Sequence, residues 1–413
     1  MISNLPPELL DSIIGLTPTK TQLDLRSVSR LFDSIATRRG YQTIHLKTWA
    51  QTLLCFKTLS SNLSITRAVR SVLIRPGPQH RRPVLLAAAY EVISKALENV
   101  SPHIVDLNFL GFELEGFPFP DHCPRLRNFS TSQAMSANVA SFISRHPNID
   151  TLMLPDIISG FTPPTICLPS MTFLTCLSNV AVSLMPGSRV SQLGIMWDPL
   201  MAQGDLEAFF GSLEKASVPL LGFSSYHWTP RADVFPLIPK YMPHLKQICF
   251  SCFHPLGIDE EIWDNGMNDI LPNLKNLMSI EVQWDALPDL TPGQLDKEFA
   301  VLTRWGHLCP SLEICYLPSR ISWRRLKCAD SAWIPDPGTD RLIAIKCTVW
   351  LRRLLISDLA SEFLNALRYM TTKHQAGELV EFSSQICDTW RFKCQDIAQY
   401  RGLRAFGAQE SIY

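Results

Sequence analysis

One phrase recurs along this chain and constrains its fold more than any other feature. It has the form Pro-x-Leu-x-x-Leu-x-Leu, as in Pro102-His103-Ile104-Val105-Asp106-Leu107-Asn108-Phe109 and Pro147-Asn148-Ile149-Asp150-Thr151-Leu152-Met153-Leu154. Related copies lie at Pro124–Phe129, Pro169–Leu174, Pro243–Phe250, Pro272–Leu277 and Pro310–Leu312, with degenerate ones beginning at Val69, Val190 and Leu220. Counted from Ile104 through Leu126, Ile149, Met171, Val190, Leu220, Leu245, Leu274 and Leu312, the intervals are 22, 23, 22, 19, 30, 25, 29 and 38 residues. Leu-x-Leu alternation predicts a short strand with one apolar face. A unit this small cannot bury that face alone, so neighbouring units must stack.

The shorter intervals fall in or near the range of leucine-rich repeats, which the body of the chain resembles. The asparagine of that family's signature is not seen at a constant place, so the member is irregular. Longer intervals leave room for helices, and amphipathic segments occur at 85–97, 205–213, 259–270 and 295–308. An unrelated α/β domain with Pro-led strands is the rival reading. After Leu312 the phrase ends. The aromatic segments Ile321–Arg324 and Ala332–Pro335 predict a hairpin. Segments 342–370 and 378–400 look helical and would cap the raw end of the stack, or else bind a partner.

The opening residues form a second signal. Leu9, Leu10, Ile13, Ile14 and Leu16 recur at helical spacing behind Pro6-Pro7, Thr19 could cap a second helix, and Ser29 precedes a third at 30–37. A three-helix unit of some forty residues buries too little of its surface to be stable without staples or a partner. The first cysteine is Cys55, so no disulfide or metal set is available within it. Its surplus apolar surface needs covering by the rest of the chain or by another protein.

The run Leu5-Pro6-Pro7-Glu8-Leu9-Leu10-Asp11-Ser12-Ile13-Ile14, followed by Leu23-Asp24-Leu25-Arg26-Ser27-Val28-Ser29-Arg30-Leu31-Phe32, resembles the F-box. The resemblance covers residues 2–46, with Tyr41–Leu46 matching the usual exit strand. Ser27 departs from it, standing where the family has an apolar residue. The resemblance implies docking on the Skp-family adaptor of a cullin–RING (SCF-type) ubiquitin ligase, while the remainder of the chain captures substrate. Carried over residue by residue, Leu5, Pro6, Leu9, Ile13, Val28, Ser29 and Phe32 face the adaptor or shape that surface. An F-box followed by irregular leucine-rich repeats resembles many fungal F-box proteins of this layout.

The expected fold class is therefore an α/β repeat: a small three-helix F-box, an irregular leucine-rich-repeat solenoid and a helical C-terminal cap. The domains are 1–46, a linker with a first degenerate repeat at 47–100, the solenoid at 101–320, and the hairpin and cap at 321–413. Outward positions between the repeat leucines, namely Asn108, Ser130, Met153, Thr175 and Cys249, are the candidates for binding a protein substrate. A non-ligase interaction scaffold, its N-terminal helices merely capping the solenoid, is the alternative.

Composition narrows the remaining classes. Apolar residues make up 46% and charged ones 18%, which excludes a disordered chain. Lys+Arg and Asp+Glu number 38 each, so global charge suggests neither nucleic acid nor membrane. That balance is uneven: residues 34–90 hold nine Lys/Arg and no acid, while 198–298 hold fifteen acids against six bases. These are either solvated faces that offset each other or surfaces that steer different partners. No signal-peptide pattern or membrane-length apolar run occurs, so the 12 cysteines read as reduced thiols of a cytosolic or nuclear protein. No phosphate-binding loop, nucleophile elbow or His-Glu-x-x-His is present. Cys249-x-x-Cys252 with His254 lacks a second ligand pair and sends its thiols to opposite strand faces. His103, His146 and His244 sit beside repeat prolines, as surface turn residues would. The Tyr226-His227-Trp228 cluster reads as core. The chain is expected to be non-enzymatic, without cofactor or metal.

Overall fold

The computed structural model describes residues 5–75, 87–110, 119–154, 161–197, 203–227, 232–253, 260–284, 291–319, 321–325, 333–336, 346–347 and 350. The expected C-terminal cap lies outside these residues except for three positions at its start. Contacts divide the chain into two compact units, residues 1–219 and 220–413.

In the first unit, α1 (Pro7–Gly15) begins with Pro7 at its first turn, where a missing N–H is harmless, and Glu8 favours the positive helix end. Then come α2 (Thr19–Leu25) and α3 (Arg30–Gln42). Ser29 caps α3, its Oγ accepting from the Phe32 N–H at 3.3 Å. Leu10, Ile14 and Ile35 form a buried cluster, against which Leu25 and Phe32 pack. α3 continues past the end expected near Thr37. Its last turn is held by Arg39, whose guanidinium reaches the Asp11 carboxylate at 2.5 Å.

The chain then enters β1 (Thr43–Leu46) directly from α3. There follow α4 (Trp49–Ser61), α5 (Leu63–Thr66), β2 (Ser71–Ile74), α6 (Ala87–Val100), β3 (Asp106–Phe109), β4 (Asn128–Thr131) and α7 (Ala137–Ser144). Next are β5 (Thr151–Leu154), β6 (Phe173–Leu177), α8 (Ser178–Leu184), β7 (Gln192–Met196) and α9 (Gln203–Leu213). Helices α4 and α5 occupy a stretch that sequence reasoning treated as linker. Their starts are capped by Thr48, accepting from the Gln51 N–H at 3.2 Å, and by Asn62, accepting from the Ser64 N–H at 3.2 Å. Strands β1 to β7 pair in chain order and all in parallel.

The repeat phrase explains this regularity. Ile104, Leu107 and Phe109 occupy three buried slots, as do Ile149, Leu152 and Leu154 one repeat later. Where Thr131 fills the third slot, its hydroxyl accepts from the Gln133 N–H at 3.0 Å, so no polar atom is stranded there. Each strand from β3 to β7 is also stitched to the previous repeat by one carbonyl. Arg70 O accepts from Val105 and Asp106 at 2.7 and 3.0 Å, and Val105 O from Arg127 and Asn128 at 2.8 and 3.0 Å. Arg127, Asp150 and Thr172 repeat the device. His146, expected at the surface, is instead only 4% exposed. Its Nε2 accepts from the Cys123 N–H at 2.8 Å and its Nδ1 meets Phe142 O at 2.6 Å, so the ring joins the end of α7 to the loop before β4.

The second unit contains β8 (Gly222–His227), α10 (Leu237–Tyr241), β9 (Gln247–Cys252), α11 (Glu260–Ile270), β10 (Ser279–Trp284) and α12 (Pro292–Leu308). It continues with β11 (Ile314–Tyr316), β12 (Ser322–Arg325) and β13 (Trp333–Asp336). β8 to β11 are parallel, and β12 and β13 complete an antiparallel edge, giving the expected hairpin. The same carbonyl stitch recurs at Leu221, Lys246 and Met278. It places Leu277, rather than Leu274, in the slot equivalent to Leu245. A 3-10 turn at Leu271–Asn273 takes up the three-residue difference.

Close strand packing makes one prediction here. A Cβ built on buried Gly194 in β7 would lie 2.7 Å from Thr175 Oγ1 of β6. Gly194→Ala is expected to destabilise the first unit by about 1–3 kcal/mol through overpacking. A combined Thr175→Ala should recover most of that loss in a denaturation midpoint, and failure to recover would locate the clash elsewhere.

Candidate protein-interaction surfaces

The N-terminal bundle divides its apolar residues between inside and outside. On α1, Leu10 and Ile14 are 1% exposed, whereas Leu9 and Ile13 on the neighbouring face are 51% and 50% exposed. Leu5, Leu16, Val28 and Leu31 are exposed as well, so six of the eleven exposed large apolar residues described fall within residues 5–31. Pro6 and Ser29 are also exposed. Two of the positions carried over from the F-box resemblance already have structural work. Ser29 caps α3, and half-buried Phe32 packs on the Leu10–Ile14–Ile35 cluster. The bundle is braced from behind by Asp11, which pairs with Arg38 at 2.8 Å and Arg39 at 2.5 Å. Partial burial pushes the Asp11 carboxyl up, but the two guanidinium groups outweigh it and hold it below the usual carboxylate range.

A second surface is the strand face opposite the buried ladder. Register brings Asn108, Ser130, Met153 and Thr175 side by side on β3 to β6, with Leu73 before them and Gly194 after. Asn108 and Met153 are half-buried, whereas Ser130 and Thr175 are buried, at 7% and 6% exposure, and present little area. In the second unit Cys249 lies between Ser224 and Glu281, and Glu281 lies beside Tyr316. Burial first, then the neighbouring Glu281, push the Cys249 thiol up to about 11, so it is neutral at physiological pH. Cys252 sits on the opposite, buried face at 1% exposure, as a spacing of three in a strand requires. Among the described residues, no group of three or more His, Cys, Asp or Glu could hold a metal ion.

Sequence reasoning missed Glu281, Tyr316 and Phe253 on this face. Tyr226, which the sequence places in the core, is half-buried and stacks on Phe253, with centroids 6.4 Å apart and planes 6° from parallel. Its partner in that cluster, His227, is buried at 5%, and Trp228 lies outside the described residues. Counting four residues on from Leu277 and from Leu312 would have found Glu281 and Tyr316. Counting from Leu274 hides the first.

In each unit, fold and register define an α/β repeat with parallel strands that carry an apolar ladder on one face, with a mostly polar row on the other in the first unit and a polar and aromatic one in the second. No family model matches the chain, and no curated protein matches it. Among solved structures it is similar to the leucine-rich repeat-containing protein LegL7 from Legionella pneumophila, at 13% identity and a TM-score of 0.41, over 77% of this chain and 97% of that one. Among the described residues, no helix is long and apolar enough to cross a membrane.

Proposed function

We propose that this chain is the substrate-recognition subunit of an SCF-type cullin–RING ubiquitin ligase, acting in the cytoplasm or nucleus. In this reading residues 5–32 dock a Skp-family adaptor, and leucine-rich-repeat-like strands hold a protein substrate through positions such as Asn108 and Met153 in the first unit and, separately, Cys249 in the second. The role is non-enzymatic: the chain positions a substrate and performs no bond chemistry itself. The observation that carries the reading is the pairing of exposed Leu9 and Ile13 with buried Leu10 and Ile14 on one short helix. Fully burying an exposed apolar side chain contributes roughly 1.5–3 kcal/mol; Leu5, Leu9, Ile13 and Val28, at 36–63% exposure, have part of that each still to gain, and together they favour a protein contact. The F-box-like order of these residues is what favours a Skp-family adaptor as that partner.

The test is capture of a purified Skp-family adaptor by the full chain. A Leu9→Asp/Ile13→Asp variant should bind about 100-fold more weakly or not at all, since central apolar anchors dominate interface energies. Its circular dichroism should match the parent, because neither side chain belongs to the buried Leu10–Ile14–Ile35 cluster. Failure of the parent chain to retain adaptor, or full retention by the variant, would defeat the proposal.

One observation favours the alternative, a scaffold whose first helices only cap the repeats. α3 leads without a linker into β1, which pairs with β2 from Thr43↔Ser71 to Leu46↔Ile74. Under that reading the aspartate pair changes neither partner binding nor stability.

A further inference from the structure

Neither surface uses the arginines of the acid-free stretch at residues 34–90, yet its fold gathers their charge in one place. Arg38 and Arg39 of α3, together with Arg67 and Arg70 just after α5, line an open cleft of about 610 Å³ that also includes Asp11 and Asp33. The two acids do not neutralise it. Asp33 is engaged by Arg26 at 2.9 Å, outside the cleft-lining set. Asp11 is shared by Arg38 and Arg39, which leaves one positive charge over, and Arg38 remains 57% exposed. Arg70 Nη1 donates to two neutral acceptors, the carbonyls of Arg67 at 2.7 Å and Val69 at 2.9 Å, which fix its head without cancelling its charge. Arg67 is exposed and makes no ion pair among the described residues. The cleft therefore keeps roughly three uncompensated positive charges on partly pre-positioned guanidinium groups. His103, which is not among the cleft-lining residues, has its imidazole held below the usual histidine range by burial first and then by the charges of Arg70, Arg125 and Arg67.

We propose that this cleft binds a small organic molecule carrying two or more phosphate groups. Guanidinium groups match phosphate oxygens in paired, charge-assisted hydrogen bonds, and a lone carboxylate would neutralise only part of the surplus. The volume lies within the ordinary range for small-ligand sites. No aromatic side chain lines it, so charge and hydrogen bonding, rather than ring stacking, carry recognition. The inference is independent of the adaptor reading, because Leu9 and Ile13 do not line the cleft.

The experiment is calorimetric titration of the full-length chain at low ionic strength with pyrophosphate, orthophosphate and a doubly phosphorylated peptide. Saturable binding of one pyrophosphate is expected, about tenfold or more tighter than orthophosphate, and weakening as salt rises. Arg67→Ala and Arg38→Ala should each weaken pyrophosphate about tenfold. Neither should unfold the chain, since Arg67 is exposed and Arg39 still holds Asp11 in the second variant. Absence of saturable binding overturns the proposal, as does binding that ignores both substitutions. A peptide that binds far more tightly than pyrophosphate overturns the small-molecule identity in favour of a phosphoprotein.

Discussion

Phe142→Ala is expected to destabilise the 1–219 unit by about 3–5 kcal/mol, the usual cost of deleting a buried aromatic ring. Phe142 lies on α7 with no exposed surface. Its ring centroid is 4.8 Å from Phe119, 4.8 Å from Phe129 and 4.4 Å from His146. Phe119 in turn reaches Phe109 at 6.0 Å, so one helix residue ties β3 to β4 through shared rings. Truncation leaves a cavity at a point where two repeats meet, and the flanking backbone is pinned by the His146 hydrogen bonds and cannot collapse freely. Hydrogen exchange should show lost protection from β3 through β5, and Phe142→Leu should cost much less, about 1–1.5 kcal/mol. Protection in β3 to β5 that is unchanged in the alanine variant would mean that each repeat holds itself together.

Glu298→Ala should destabilise the 220–413 unit by about 2–4 kcal/mol, because it strands donors that have no route to water. Glu298 on α12 is only 4% exposed. Its carboxyl group accepts from the Ser319 N–H at 3.1 Å, the Ser319 hydroxyl at 2.7 Å and the Trp323 indole at 3.0 Å, which joins α12 to β12 and the turn before it. Burial outweighs these donors and leaves the carboxyl titrating above the ordinary glutamate range. The folded state thus holds the proton more tightly than the unfolded chain. The linked stabilisation is complete below the ordinary glutamate pKa of about 4.3 and is lost as pH rises through the elevated value. The stability of the parent relative to Glu298→Gln, compared between acidic and neutral pH, should show that decline. A parent and a glutamine variant with the same pH slope would show that Glu298 does not titrate there.

Much of the architecture was legible in local pattern. The Leu-x-x-Leu-x-Leu spacing locates most of the parallel strands and their buried residues, because alternation along a strand needs no knowledge of the neighbour, but it sets β10 three residues early, from Leu274 rather than Leu277. Amphipathic runs mark α6, α9, α11 and α12 within a few residues. The short helices α5, α8 and α10 escaped notice, since four to seven residues cannot display a helical period. The adaptor-facing candidates were legible only in part. Sequence shows that α1 carries apolar residues on two faces, but it cannot say which face the bundle closes over.

What the sequence alone determined is the ladder, its approximate repeat length and an N-terminal bundle with more apolar surface than it can cover. Those follow from spacing, and spacing is written in neighbours. Tertiary structure decided depth and charge pairing: Leu10 inside and Leu9 outside, His146 buried, Ser130 and Thr175 sunk below the surface, while Glu281 stands beside Cys249 and Tyr316 beside Glu281. It also brought Asp11 to Arg39, 28 residues apart, and so left a surplus of arginine charge in a single cleft. Solvent exposure and electrostatic pairing depend on atoms brought together from distant parts of the chain, so only the folded arrangement can assign them.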